Sequence, residues 1–163
     1  MKRASETRVS ARGLRIAVVK SAFNDRIVAG LHAGALAELR EAGAADKNIL
    51  SFEAPGAFEL PLAAKAAAET GRFDAVIALG AVIRGDTDHY EHIAREAASG
   101  LAAASRETGV PIAFGVLTTR DEAQAVARSV PGADNKGREA ARAAIAMARL
   151  LETLRRPRAS KRR

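Results

Sequence analysis

The run Phe73-Asp74-Ala75-Val76-Ile77-Ala78-Leu79-Gly80-Ala81-Val82-Ile83 is the most continuous apolar stretch of the chain. Such a stretch suits a central strand of a parallel sheet, covered by helices on both faces. Around it, short apolar runs alternate with Ala-rich amphipathic segments, the pattern of repeated βα units. Leu14–Lys20 is rich in β-branched residues and predicts the first strand. Asn24 is the expected N-cap of a helix beginning near Asp25, in which Ile27, Leu31, Ala35 and Leu39 recur every four residues and Gly43 follows as a natural C′ residue. Asn48–Glu53 predicts the second strand, followed by Ala54-Pro55-Gly56 and an Ala-rich helix over 57–70. Beyond the loop Arg84–Asp88, residues 89–108 read as a long helix with Ile93, Ala97, Leu101 and Ala104 inward and Gly109 at its end. Ile112–Thr118 is the fourth strand, 120–128 a short helix, and the final helix runs from about Gly137 to Arg155, before Pro157. The order predicts an α/β three-layer sandwich: a four-stranded parallel sheet with helices on both faces, right-handed crossovers, and ligands at the carboxyl ends of the strands.

Composition sets the outer limits. A length of 163 residues suits one compact domain, and a 48% hydrophobic content is enough to bury a core. With 4% aromatics and no Trp, that core has to be filled by Ala, Val, Leu and Ile. The absence of Cys excludes a disulfide framework, a zinc ribbon, an iron–sulfur centre and thiol catalysis. The formal charge of +7 sits at the ends: residues 1–13 carry +3 and 155–163 carry +6, leaving about −2 for 14–154. The folded part is therefore no polycation. Nucleic acid enters only as a weak, tail-mediated partner through these ends. The first 13 residues are polar, with no apolar segment of the length a secretory signal needs, and no stretch approaches the roughly 18 apolar residues of a membrane span, which points to a cytoplasmic protein without membrane contact. The expected organisation is a disordered basic arm over 1–13, one α/β domain over 14–154 and a disordered basic tail over 155–163.

The four strand exits align on one sheet edge, and each carries a distinctive segment. Gly80-Ala81-Val82-Ile83-Arg84-Gly85-Asp86-Thr87 has the glycine spacing and terminal hydroxyl of a P-loop but places Asp86 where that motif needs Lys, so a nucleotide-hydrolysing role fails on charge. A Gly-containing turn at a helix N-terminus remains a general anion site, with Arg84 as its cation or as a surface charge. The plainer alternative is that Thr87 or Asp88 simply caps the helix. His89 and His92, with Asp86 and Asp88 upstream, can be drawn as metal ligands, but an i, i+3 pair at a helix start gives only a partial shell. No metal is expected. A His at a ligand-facing helix start serves proton transfer, or else only caps the helix. His32 falls mid-helix as a surface or packing residue. Phe23 and Phe58 are placed to stack on a planar heterocycle or to plug the core beside a helix start. Glu59 is an early-helix carboxylate, stabilised by the dipole and able to accept from ligand N–H or hydroxyl groups.

Five segments carry a more specific signal. These are Phe23-Asn24, the run Pro55-Gly56-Ala57-Phe58-Glu59-Leu60-Pro61, the run Ala78 to Tyr90, Phe114-Gly115-Val116-Leu117-Thr118-Thr119, and Asn135-Lys136-Gly137. In this order and spacing the chain resembles the 6,7-dimethyl-8-ribityllumazine synthase family from Arg15 to about Leu154. The resemblance implies a flavodoxin-like arrangement and a transferase of riboflavin biosynthesis, working without cofactor. The family joins 5-amino-6-(D-ribitylamino)uracil to 3,4-dihydroxy-2-butanone 4-phosphate, releasing phosphate and water. It further implies stacking of Phe23 on the uracil ring, a ribityl chain held by Ala57, Phe58 and Glu59, and backbone contacts from Ala81, Val82 and Ile83. Gly85, Asp86 and Thr87 would bind phosphate with Arg128, and Lys136 would add to the positive field. His89 would transfer protons. Phe114 and Arg128 would reach the pocket from a neighbouring subunit, in a homopentamer that some members build into an icosahedral shell. From another class, a non-catalytic flavin- or pyrimidine-binding module of the same fold would explain Phe23 and the anion site.

Overall fold

A computed structural model describes residues 8–157. Its elements are β1 (Ile16–Ser21), α1 (Asp25–Glu41), β2 (Ile49–Ala54), α2 (Leu60–Glu69), β3 (Ala75–Ile83), α3 (His89–Thr108), β4 (Ile112–Thr119), α4 (Glu122–Ser129) and α5 (Lys136–Arg155). The strands form one parallel sheet in the order β2-β1-β3-β4. The predicted central strand is central, and eight of its nine residues are buried. Alternation along the strands splits the core into two layers. Ile16, Val18, Ile77 and Leu79 pack under α1 and α5, while Ala17, Val19, Val76 and Ala78 pack under α2 and α3. Small side chains dominate both layers, as a chain poor in aromatics requires. No helix among the described residues is long and apolar enough to cross a membrane.

Two local expectations change. Pro61 sits in the first turn of α2, so the predicted 57–70 helix resolves into a 3-10 turn at Ala57–Glu59 followed by a regular helix from Leu60. Asn24 does not cap α1 with its side chain. It adopts the left-handed conformation, φ 56° and ψ 46°, and its Nδ2 donates to the Ala81 carbonyl at 2.8 Å. Asn tolerates that backbone better than most residues, so one position both turns the chain and ties the β1 exit to β3. The cap expected at Asn24 is found at Asn135 instead. Its Oδ1 accepts from the backbone N–H of Gly137 and Arg138, and its Nδ2 donates to the carbonyls of Gly30, Ser129 and Val130.

The domain also begins earlier than residue 14. Residues 8–13 are not a free arm but lie against the body: Ala11 is fully buried and its N–H donates to the Ala42 carbonyl at 2.8 Å. Arg149 donates to the Ser10 and Arg12 carbonyls, and Arg8 pairs with Glu41 at 3.1 Å. Apolar burial and charge-assisted bonds together offset the entropy of ordering this segment. Glu38, buried in α1, faces Arg138 at 3.0 Å and Arg142 at 3.1 Å, which compensates its desolvation. At the other end Arg155 belongs to α5 and donates to the Gly109 carbonyl at 2.7 Å. The remaining expected arm and tail, residues 1–7 and 158–163, lie outside the described residues.

Candidate active site

The exits of β1, β2 and β3 meet the start of α3 around one cavity of about 590 Å³. Register explains why it is open. β1 pairs with β3 only as far as Lys20 with Leu79, whereas Gly80–Ile83 pair with β4 alone. On the β1 side, the last residues of β3 therefore present backbone to the cavity instead of to a strand, and Asn24 occupies one carbonyl of that edge. Phe23 and Phe58 project from neighbouring exits and are 69% and 56% exposed, a cost in free energy that a bound planar group would recover. Neither plugs the core. Ala57, Glu59, Ala81, Val82 and Ile83 complete the wall with His89, Tyr90 and Ile93.

His89 is the first residue of α3 and is exposed. Asp88 makes no side-chain cap, and Thr87 has no side-chain hydrogen bond among the described residues. The first N–H groups of α3 thus lack a side-chain acceptor and join the positive end of the helix dipole. Gly85, Asp86 and Thr87 form the exposed loop leading into that end, outside the cavity lining itself. An anion seated there would meet unsatisfied donors beside an imidazole.

The remaining predicted residues gather elsewhere. Phe114, Arg128 and Lys136 line a second recess of about 250 Å³, along the free edge of β4 beside α5. Phe114 is half exposed, and Arg128 curls back so that Nη1 donates to the Gln124 carbonyl at 2.9 Å. Lys136 pairs with Glu139. The two recesses share no lining residue, so one chain does not bring Arg128 to His89. Sequence reasoning missed Asn24 as a wall residue, Ile93, and Glu139 in the second recess. Ile93 was accessible through helical spacing, being four residues after His89. Asn24 and Glu139 carried no local signal beyond turn and helix propensity.

Asn24 gives a direct test of how the wall is held. Asn24→Ala is expected to cost about 1–2 kcal/mol of stability from the left-handed backbone alone. Asn24→Gly should recover that part while still lacking the bond to Ala81. Thermal unfolding of both variants checks this, and equal loss in the two would contradict a backbone cost.

The sequence profile described as 6,7-dimethyl-8-ribityllumazine synthase matches residues 13–152, most of the chain and every element of the fold except the last turn of α5. The chain belongs to the 6,7-dimethyl-8-ribityllumazine synthase family. Relatives bearing that name include a protein of Chlorobium luteolum, 50% identical over 149 residues, covering 91% of this chain and 96% of the relative. One from Syntrophus aciditrophicus is 50% identical over 150 residues, covering 92% and 97%. Another, from Nitratidesulfovibrio vulgaris, is 46% identical over 149 residues, covering 91% and 96%. The four-stranded parallel sheet with helices on both faces is the arrangement the resemblance to the lumazine synthase family implied.

Proposed function

We propose that the chain condenses 5-amino-6-(D-ribitylamino)uracil with 3,4-dihydroxy-2-butanone 4-phosphate to form 6,7-dimethyl-8-ribityllumazine, phosphate and water. The supporting observation is the lining of the 590 Å³ cavity, where exposed aromatics, a carboxylate, unpaired strand backbone and a helix-start His converge. Phe23 stacks on the pyrimidine, the β3 edge at Ala81–Ile83 meets its amide groups, and Ala57, Phe58 and Glu59 hold the ribityl hydroxyls. The butanone phosphate sits at the α3 N-terminus, held by Gly85, Asp86 and Thr87 through their backbone and hydroxyl donors. The pyrimidine amine attacks the ketone and water leaves as the imine forms; after phosphate is eliminated, the ribityl-bearing nitrogen closes the ring on the carbonyl carbon that remains and a second water leaves. His89 moves protons during that step, during elimination of phosphate and during ring closure. Holding two substrates in one geometry supplies much of the remaining acceleration.

The second recess enters this scheme from a neighbouring copy. The separation of Arg128, Lys136 and Phe114 from His89 within one chain supports a homo-oligomer that closes each site with the β4 edge of the next subunit, and the resemblance to the family makes that oligomer a pentamer. Arg128 then swings from the Gln124 carbonyl to the phosphate, where its fork makes charge-assisted bonds. The protein works as a cytoplasmic enzyme.

Mixing the two substrates with the purified protein should give lumazine absorbance and one phosphate per product. Binding of the pyrimidine with no product above the uncatalysed rate would instead favour a non-catalytic module. Arg128→Ala should raise KM for the butanone phosphate about 10- to 100-fold, the worth of a hydrogen bond to a charged group, while pyrimidine affinity holds. Equal loss for both substrates would sink this role for Arg128.

A further inference from the structure

The sheet carries another recess at its opposite end, where the strands begin. Ile16 pairs with both Ile49 and Ala75, so the segments entering β1, β2 and β3 arrive side by side. They bring Arg15, Lys47 with Asn48, and Arg72 with Phe73 around a space of about 190 Å³, walled also by Leu50. Phe73 is fixed by an edge contact with Phe52, the ring centroids 6.1 Å apart, and carries the Arg72 guanidinium over its face at 5.2 Å. Asp74 is the acid beside the recess. It is already engaged, accepting from the Arg15 N–H at 2.7 Å and from Nη2 at 3.5 Å. Lys47 and Arg72 form no ion pair among the described residues. Three cations against one carboxylate leave a local excess of two positive charges.

We propose that this recess binds a small phosphate monoester. Such a group carries about −1.5 to −2 at neutral pH, which balances the local excess, whereas a monocarboxylate would leave a cation uncompensated. Arg72 and Arg15 supply planar forks and Lys47 a point charge, a donor set suited to several phosphate oxygens at once. The volume lies below the roughly 300 Å³ at which pockets begin to take drug-sized ligands, so the carried group is a short polyol or similar skeleton lying against Leu50 and Phe73. The length of β3 separates this recess from the His89 cavity by roughly 25 Å, so the two sites bind independently.

Equilibrium dialysis of the full chain with labelled glycerol 3-phosphate tests the assignment, with glycerol and a single-stranded oligoribonucleotide as comparison probes. Lys47→Ala/Arg72→Ala should weaken the glycerol 3-phosphate sites by at least tenfold and leave lumazine formation unchanged. Glycerol should not bind, and Arg106→Ala/Arg156→Ala, which removes two exposed cations from the same end of the molecule, should leave binding intact. The proposal falls if the two double variants lose binding equally, since net charge then explains the effect. It also falls if Lys47→Ala/Arg72→Ala binds glycerol 3-phosphate as the parent chain does, or loses only the oligoribonucleotide. Failure of lumazine formation in the parent chain would count against the proposed activity and not against this recess.

Discussion

Gly137→Ala is expected to cost about 3 kcal/mol of stability or more, at the upper end of what overpacking does in a closed core. A β-carbon at Gly137 would lie 1.9 Å from the Leu31 carbonyl oxygen and 2.9 Å from Asn135 Oδ1. The first of these is backbone of α1, so no side-chain rotation relieves it, and α5 would have to move away from α1. That movement would also pull Asn135 Nδ2 off the Gly30 carbonyl of α1, which it meets at 3.1 Å. Gly34 repeats the constraint from the other helix, since a β-carbon there would lie 2.0 Å from the same Oδ1. Asn135, 2% exposed, thus joins α1, the end of α4 and the start of α5, the segment that carries Arg128 and Lys136. Gly85→Ala supplies the contrast, because a β-carbon there meets nothing within 4 Å and its stability should hold within about 0.5 kcal/mol. Thermal unfolding and soluble yield of the two variants check the ranking. A Gly137→Ala protein as stable as Gly85→Ala would mean that α1 and α5 are not locked as described.

The same junction shows what a sequence does and does not disclose. Patterns governed by burial were legible: the apolar run at Phe73–Ile83 suited a covered strand, and the four-residue recurrence from Ile27 to Leu39 gave α1 its inward face. The segments at the strand exits were legible too, because parallel topology sends them to one edge whatever their details. Asn24 and Asn135 were not distinguishable in that way. Both precede a helix and both suit a cap, yet one takes the left-handed backbone to reach Ala81, 57 residues on, and the other caps α5 while reaching back to Gly30. Those partners are set by tertiary packing. Ala11 was hidden for a related reason: a small residue in a polar, basic stretch carries no periodic signal, although the groove beside Ala42 buries it completely. The division of the predicted site between two recesses likewise depends on β4 being an edge strand, which strand order decides and local sequence does not.

Replacing His89 by Ala should lower turnover by about 10²- to 10⁴-fold, the usual worth of general acid–base help, which corresponds to roughly 3–5 kcal/mol of barrier. The side chain is exposed and makes no hydrogen bond among the described residues, and Ala is the better helix former, so the fold should not weaken. Pyrimidine affinity should also hold, because Phe23, Phe58, Glu59 and the β3 edge remain in the cavity wall. A fall in kcat with an unchanged dissociation constant for the pyrimidine would therefore assign the loss to proton transfer. Some acceleration should survive if, as proposed, the second substrate is still held against the first at the α3 N-terminus. Unchanged turnover would remove His89 from the mechanism. A matching loss of pyrimidine affinity would recast it as a binding residue, leaving the imine, elimination and ring-closure protons to be carried by solvent or by a group brought in with the neighbouring β4 edge.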